Sequence, residues 1–367
     1  MKTILFFALL AFVLTIIAIL KEDELEDSSA SLTRWLQKRD NETIEYIFSH
    51  VGKVTGVGFL LMSGTLFLIG KRDIGLVGLI CGLLGVCISG ALKMEFAHPR
   101  PFWKYSNLEG EECPKDFGTP SGHAMSAGGG LFILGYIWIK TADSKLWRTI
   151  IVIFISLITA IDRVYIGVHF HFQVILGYSY AALVVAILLH PNTLEYIKSF
   201  RNNTNSVLQT HVVLVAGLIV GAFIYDYRNP LWNPSWSEKY RERCHTGLSV
   251  YSPMIKSFGE TNIVMFIAGM IIGVYFLKNK AYPKFSIILL IVSIVLHHFL
   301  MASLKYIDAM ILENLNGLVL IFVLSIHRYT FGFAHTFLLP QLLSIIFGEE
   351  KHHDSDDSFH WIKLKSN

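Results

Sequence analysis

Three short stretches of this 367-residue chain gather the residue types that handle a phosphoryl group. Lys93 precedes Arg100-Pro101; Pro120-Ser121-Gly122-His123 follows; Arg163 and His169 come next, with His171 and Gln173 close behind. A phosphate dianion needs positive charge on several oxygens, and Arg100 and Arg163 offer planar forks where Lys93 offers a point charge. Ser121-Gly122 at a helix start can turn backbone N–H groups and the positive end of the dipole toward the same anion. Two histidines then divide the labour. One attacks phosphorus and carries the phosphoryl group; the other protonates the departing oxygen and later activates water. The cations do the charge neutralisation, so no metal and no other cofactor is expected. No cysteine pair has zinc-site spacing, and no Asp/Glu cluster suggests a two-metal site.

Each residue also has a plainer reading. A single Arg or Lys at a membrane edge is ordinarily a snorkelling anchor. A lone Ser-Gly-His is ordinarily a helix cap, and His98 and His171 read as structural. What outweighs these readings is the order of the three stretches and the surface they share.

That surface follows from the elements that must carry them. Charged residues are 16% and hydrophobic residues 53%, with a mean hydropathy of +0.50, whereas a soluble domain carries about 25% charged residues. The deficit excludes a disordered chain, a nucleic-acid-binding domain and an ordinary cytosolic enzyme. The net charge of +3 implies no strongly anionic partner, and the lipid bilayer is the partner to expect. Apolar blocks of crossing length fall near 3–20, 52–70, 74–92, 124–139, 147–161, 173–190, 211–226, 261–277 and 285–303. Region 309–347 holds either one crossing with a surface helix or two crossings, its halves 309–326 and 331–347 being weakened by Glu313, Asn314, Asn316, His335 and Pro340. The fold class is an all-α polytopic membrane protein: a bundle of about nine core transmembrane helices plus an N-terminal apolar segment.

The run Thr3–Leu20 lacks a small-x-small cleavage site and reads as a retained anchor in preference to a cleaved signal. Residues 28–48 mix Leu32, Trp35, Leu36, Ile44, Ile47 and Phe48 with charges, as a helix lying on the membrane surface would. Counting crossings from there, the stretch at Lys93 leaves the bilayer on one face and the stretch at Ser121 re-enters from it. Two further crossings return the stretch at Arg163 to that face. All three motifs meet.

The pattern Lys-x6-Arg-Pro, Pro-Ser-Gly-His and Arg-x5-His, within 93–173, resembles the type 2 phosphatidic acid phosphatase superfamily. The resemblance implies that His169 is the nucleophile and His123 the general acid. It also implies that Lys93, Arg100, Ser121, Gly122 and Arg163 hold the phosphate. The usual third motif is Ser-Arg-x5-His-x3-Asp; here Asp162 replaces its Ser and Gln173 its Asp. A glutamine carbonyl can still orient the nucleophile but adds no charge. His169-Phe170-His171-Phe172-Gln173 is similar to the glucose-6-phosphatase branch, whose members carry Gln at this place. So are Arg100-Pro101-Phe102-Trp103, Leu231-Trp232 through Arg243-Cys244, Pro253 through Lys256, and Leu296-His297-His298. The likeness covers roughly 45–350, and that branch is described with nine crossings. Asp162 has no counterpart; pairing with Arg163, it would compete with phosphate.

Short connections on the face opposite the motifs carry Lys71, Arg72, Lys140, Lys145, Arg148, Lys198, Arg201, Lys278, Lys280 and Lys284. By the positive-inside rule that face is cytosolic and the motif face lumenal or exterior. Two sequons conflict: Asn41-Glu42-Thr43 lies on the motif side and Asn202-Asn203-Thr204 on the other, so only one is usable. Cys113 and Cys244 both fall on the oxidising side, as a disulfide or as separate thiols. Lys363 and Lys365 resemble an endoplasmic-reticulum retrieval signal, readable from the cytosol only with an odd number of core crossings.

The domains expected are 1–27, a signal-anchor or signal segment; 28–350, a glucose-6-phosphatase-like membrane domain with its catalytic core at 52–190; and 351–367, a polar tail. The expected activity is metal-independent hydrolysis of glucose 6-phosphate, or a related sugar phosphate, in the endoplasmic-reticulum lumen. A cytosolic substrate would then require a sugar-phosphate transporter as partner. The rivals are a lipid phosphate phosphatase and a catalytically silent membrane binding protein.

Overall fold

The computed structural model describes residues 1–38, 42–110, 112–140, 145–227, 233–245, 252–277, 282–315 and 317–350. Asn41, the sequon asparagine, and the tail carrying Lys363 and Lys365 lie outside them.

The chain is built from helices: α1 (Lys2–Leu20), α2 (Glu22–Gln37), α3 (Glu42–Leu68), α4 (Arg72–Phe96), α5 (Pro101–Lys104), α6 (Gly122–Lys140), α7 (Leu146–Tyr165) and α8 (His171–Leu188). The second half adds α9 (Pro191–Ser199), α10 (Thr204–Tyr227), α11 (Pro234–Cys244), α12 (Ser252–Thr261), α13 (Val264–Phe276), α14 (Ile287–Asn314), α15 (Gly317–Phe333) and α16 (Leu339–Phe347). The β structure among the described residues is one antiparallel pairing, Tyr282–Pro283 with Glu349–Glu350. Among the described residues, seven segments are long and apolar enough to cross a bilayer: α1, Arg72–Lys104, α8, α10, Ser252–Phe276, α14 and Gly317–Phe347. α3, α6 and α7 complete the bundle. α6 opens on Gly122-His123 and holds five glycines, and α7 carries Arg148 near its start and Asp162 and Arg163 at its site end.

Two expectations are corrected. The surface helix is not 28–48: α2 begins at Glu22, directly after α1, while residues 42–48 open α3. Acidic Glu22, Asp23 and Glu24 in its first turn favour that earlier start. In the C-terminal region the boundary lies at Asn314–Gly317, where Gly317 takes a positive φ of 53°. α14 therefore absorbs 309–314, and Gly317–Phe347 forms a single span. Its helix passes Pro340 through a π-turn at Ala334–Leu338, which relaxes the ladder where proline lacks a donor.

α1 lies along α8, with Ala11 and Ala18 buried and Thr15 Oγ1 2.9 Å from the Tyr180 hydroxyl. α2 then straps the motif loops. Gln37 donates to the carbonyls of Glu109 (3.0 Å) and Tyr165 (2.9 Å), Tyr105 donates to Asp27 (2.6 Å), and Glu26 pairs with Lys104. His98 and His171 serve this strap. His98 meets Thr119 at 3.1 Å and Glu22 at 3.4 Å, and His171 meets Ser29 at 2.5 Å.

Candidate active site

The site forms where helices end. α4 stops at Ala97 in the left-handed region, and Pro99 and Pro101 forbid its continuation. α6 starts after Ser121, whose Oγ accepts the Ala124 N–H at 3.4 Å. α7 turns at Gly167, where φ is +70° and an added Cβ would lie 1.9 Å from the Glu109 carbonyl oxygen, so glycine alone fits. α8 starts on Gln173, whose Oε1 accepts the Phe170 N–H (3.1 Å) in the manner of a capping box.

The loop from Tyr105 to Pro120 is pinned from below and behind. Buried Trp103 packs among Phe102, Phe117, Trp236 and Tyr240, and the Tyr240 hydroxyl donates to the Cys113 carbonyl at 2.8 Å. Cys113 and Cys244 are joined by a disulfide, so the motif loop is tied to α11.

A cavity of about 560 Å³ opens among these ends. Lys93, Arg100, Gly122, His123, Arg163 and His169 all line it. Ser121 does not: it is fully buried behind the wall, and its N–H is taken by the Gln173 carbonyl at 3.0 Å.

His169 is held in one tautomer. Its Nδ1 faces two acceptors, the Gly118 carbonyl at 2.9 Å and Gln173 Oε1 at 3.2 Å, and so carries the proton. Its Nε2 lies 3.2 Å from Arg100 Nη1, a donor, and is therefore the unprotonated nitrogen, its lone pair accepting from the guanidinium that a substrate would have to draw away. Burial, reinforced by Arg100, Lys93 and Arg163, holds His169 well below the usual imidazole value. A neutral imidazole with an oriented Nε2 lone pair is what a nucleophile needs. Gln173 is locked in turn by donating from Nε2 to the Pro99 carbonyl at 3.1 Å.

Each cation has a carboxylate partner. Arg100 donates to the Asp116 carbonyl (2.8 Å) and carboxylate (2.8 Å), and to the carbonyls of Val168 (2.9 Å) and Phe117 (3.3 Å). Lys93 pairs with Asp116 and, at 2.8 Å, with Glu260. Burial raises Asp116, but Arg100 and Lys93 outweigh it and hold the carboxyl well below its usual range. Arg163 donates Nε–H to Asp162 at 2.5 Å and Nη1–H to Glu112 at 3.1 Å, leaving Nη2 buried without a hydrogen-bond partner among the described residues. Asp162 thus occupies the inner edge of the fork and does not cover all of it. Nothing in the motif spacing points to Asp116, Glu112 or Glu260. A charge inside an apolar span was the available signal for Glu260.

Among the described residues no group of His, Cys, Asp and Glu has the arrangement of a metal site. The arrangement suits an anion of two or more charges beside a nucleophilic imidazole, within a multi-pass membrane protein.

Residues 75–195 match the model of the PAP2 superfamily. The solved structures include one that is similar, a transmembrane PAP2-type phosphatidylglycerolphosphate phosphatase from Bacillus subtilis. Identity is 19%, with 56% of this chain and 100% of that chain covered and a TM-score of 0.45. No curated protein matches the chain.

Proposed function

We propose that the protein is an integral-membrane phosphomonoesterase that works through a phosphohistidine. The observation that carries this reading is the neutral, oriented His169 Nε2 beside Arg100, in a cavity shared with Lys93, Arg163 and His123. The Nε2 lone pair attacks phosphorus and the ester P–O bond breaks as His123 gives its proton to the leaving oxygen. Water then attacks the phosphohistidine, passing its proton to His123, and the N–P bond breaks to return neutral His169. Arg100, Lys93, Arg163 and the N–H groups at Gly122 neutralise the equatorial oxygens throughout. For the phosphate to be gripped, Asp116, Glu260 and Glu112 must yield some of their hold on the cations.

We read the substrate as a sugar phosphate, glucose 6-phosphate first among them. Gln173 and the segments similar to the glucose-6-phosphatase branch support it. So does the far wall of the cavity, where Glu260, His298, Lys305 and Asp308 offer partners for hydroxyl groups. One observation favours a lipid phosphate instead: Leu60, Leu83, Val86 and Met301 line the same cavity and suit an apolar leaving group. The cysteine pair at the motif end and the basic residues at the other support a lumenal site. They support residence in the endoplasmic reticulum, served by a transporter if the substrate is cytosolic.

The test is phosphate release by purified membranes in EDTA, comparing wild type with His169→Ala on glucose 6-phosphate, mannose 6-phosphate, phosphatidate and sphingosine 1-phosphate. Release from the sugar phosphates that vanishes in the variant supports the reading. Release from the lipids alone moves the protein to the lipid branch. Release from none, or release that survives the substitution, overturns the phosphohistidine.

A further inference from the structure

One carboxylate that pairs with a motif cation comes from outside the matched segment. Glu260 reaches Lys93 from α12, with both its oxygens within 3.0 Å of Nζ. Its placement is built at three levels. α12 comes onto α4 at Gly90, one turn before Lys93, where an added Cβ would lie 2.4 Å from the Ser257 carbonyl and 2.7 Å from Glu260 Cβ. Any side chain there would push α12 away. The neighbouring Gly259 carbonyl accepts a hydrogen bond from Arg328 of α15. Arg328 is itself only 4% exposed and gripped by Asp308 of α14, at 3.1 Å from Nε and 2.7 Å from Nη2.

A buried Arg–Asp pair inside a membrane bundle is expensive and marks a functional role by default. Its visible effect here is to fix the carbonyl beside Glu260. Glu260 lines the cavity together with His123, the proposed proton donor to the leaving oxygen, and with Asp308. The carboxylate therefore shares the cavity with the group that serves the leaving oxygen, and it occupies the ammonium that a phosphate oxygen needs.

We propose that Glu260 is a leaving-group selector: it holds Lys93 while the site is empty, is displaced from it by phosphate, and then accepts hydrogen bonds from hydroxyls of the leaving group. This rests on the phosphatase reading of the site. Two consequences follow. The carboxylate weakens binding of bare phosphate, because two anions compete for one lysine. It strengthens turnover of hydroxyl-rich esters relative to an ester with no hydroxyl. Arg328 and Asp308 act as positioning residues behind it.

The experiment uses the full-length protein purified in detergent. The affinity for inorganic phosphate is measured by calorimetry, and kcat/KM is measured for glucose 6-phosphate and for p-nitrophenyl phosphate. Glu260→Gln removes the charge at nearly constant shape and should bind phosphate about tenfold more tightly, since like-charge juxtaposition is strongly unfavourable. It should lower the ratio of kcat/KM for glucose 6-phosphate over p-nitrophenyl phosphate by roughly tenfold, because a charged hydrogen bond to a hydroxyl becomes a neutral one. Glu260→Asp keeps the charge and should leave phosphate affinity near the wild-type value, which separates loss of charge from loss of fold. Unchanged phosphate affinity and an unchanged ratio in Glu260→Gln, with p-nitrophenyl phosphate still turned over, overturn the selector and leave the phosphatase standing. Tighter phosphate binding in a protein that hydrolyses neither ester supports the competition and overturns the phosphatase. No phosphate binding by either protein overturns both.

Discussion

The cavity has two walls of different construction. The motif wall is assembled from helix ends: Arg100 after α4, Gly122 and His123 opening α6, Arg163 closing α7, His169 before α8. Its side chains are fixed largely by nearby backbone, as Arg100 is by three carbonyls and His169 by the Gly118 carbonyl. The opposite wall comes from the last turn of α12 and the side of α14, with Glu260 and Asp308 fixed by contacts between helices. Recognising a phosphoryl group needs many donors converging on one point, which turns and helix N-termini supply. Accommodating the rest of a substrate needs only one face of a helix. The motif wall should therefore set the reaction and the facing wall the preference among esters.

The largest expected effect is on the motif wall. His169→Ala should abolish turnover of every ester alike, by about four orders of magnitude or more; a loss confined to one leaving group would break the division. Arg100→Lys should cost about 10²- to 10³-fold in kcat/KM. Lysine keeps the charge but cannot reach Asp116, Val168 and His169 together, as the guanidinium does. His123→Ala sharpens the comparison, because the proton it gives matters in proportion to the leaving group's basicity. Glucose 6-phosphate turnover should fall about 10²- to 10⁴-fold, and p-nitrophenyl phosphate turnover much less. On the facing wall Asp308→Asn frees Arg328 from its counter-charge, and it should raise KM for a sugar phosphate roughly tenfold with a smaller change in kcat. An equal fall in kcat for both esters would place Asp308 with the motif wall instead.

The same contrast explains what was legible in the sequence. The motif residues stand in short patterns because the turns that carry them are local, so Lys93, Arg100, His123, Arg163 and His169 could be read together and found facing one cavity. The helices too were legible as apolar blocks, with α7 recognisable despite Asp162 and Arg163. The start of α2 was not, since its Glu-rich first turn looks like a loop until its i, i+3 and i+4 partners on Lys104 and Tyr105 are seen. The break at Gly317 was signalled by Glu313, Asn314 and Asn316 but lay inside what read as one weakened apolar half, 309–326, because apolar residues resume on both sides of them. Asp116 and Glu112 were illegible as site residues, and Glu260 offered only a charge inside an apolar span: each acquires its role from a partner 16 to 167 positions away. Spacing along the chain holds no record of those contacts.

The smallest effect expected tests how the nucleophile is tuned. His169 has a neutral partner in Gln173 Oε1 at 3.2 Å, and burial with three cations keeps its imidazole well below the ordinary value. The nucleophile must be unprotonated, and a depressed pKa means it stays so as pH falls. Its contribution to the acid limb of kcat/KM should accordingly lie well below the pH of about 6.5 at which free histidine titrates. Gln173→Glu preserves the acceptor for Nδ1–H and for the Phe170 N–H but sets a negative charge beside the ring. An opposite charge at that range favours the imidazolium and should raise the pKa by about one to three units, moving the acid limb upward by the same amount. The phosphate ester's own ionisation is common to both proteins, so the difference between their profiles isolates His169. At pH 8 the variant should retain activity within about tenfold, the loss reflecting the bond from Gln173 Nε2 to the Pro99 carbonyl that Glu cannot make. An acid limb that does not move would mean that Gly118 alone orients His169, and that Gln173 serves the start of α8 instead of the nucleophile.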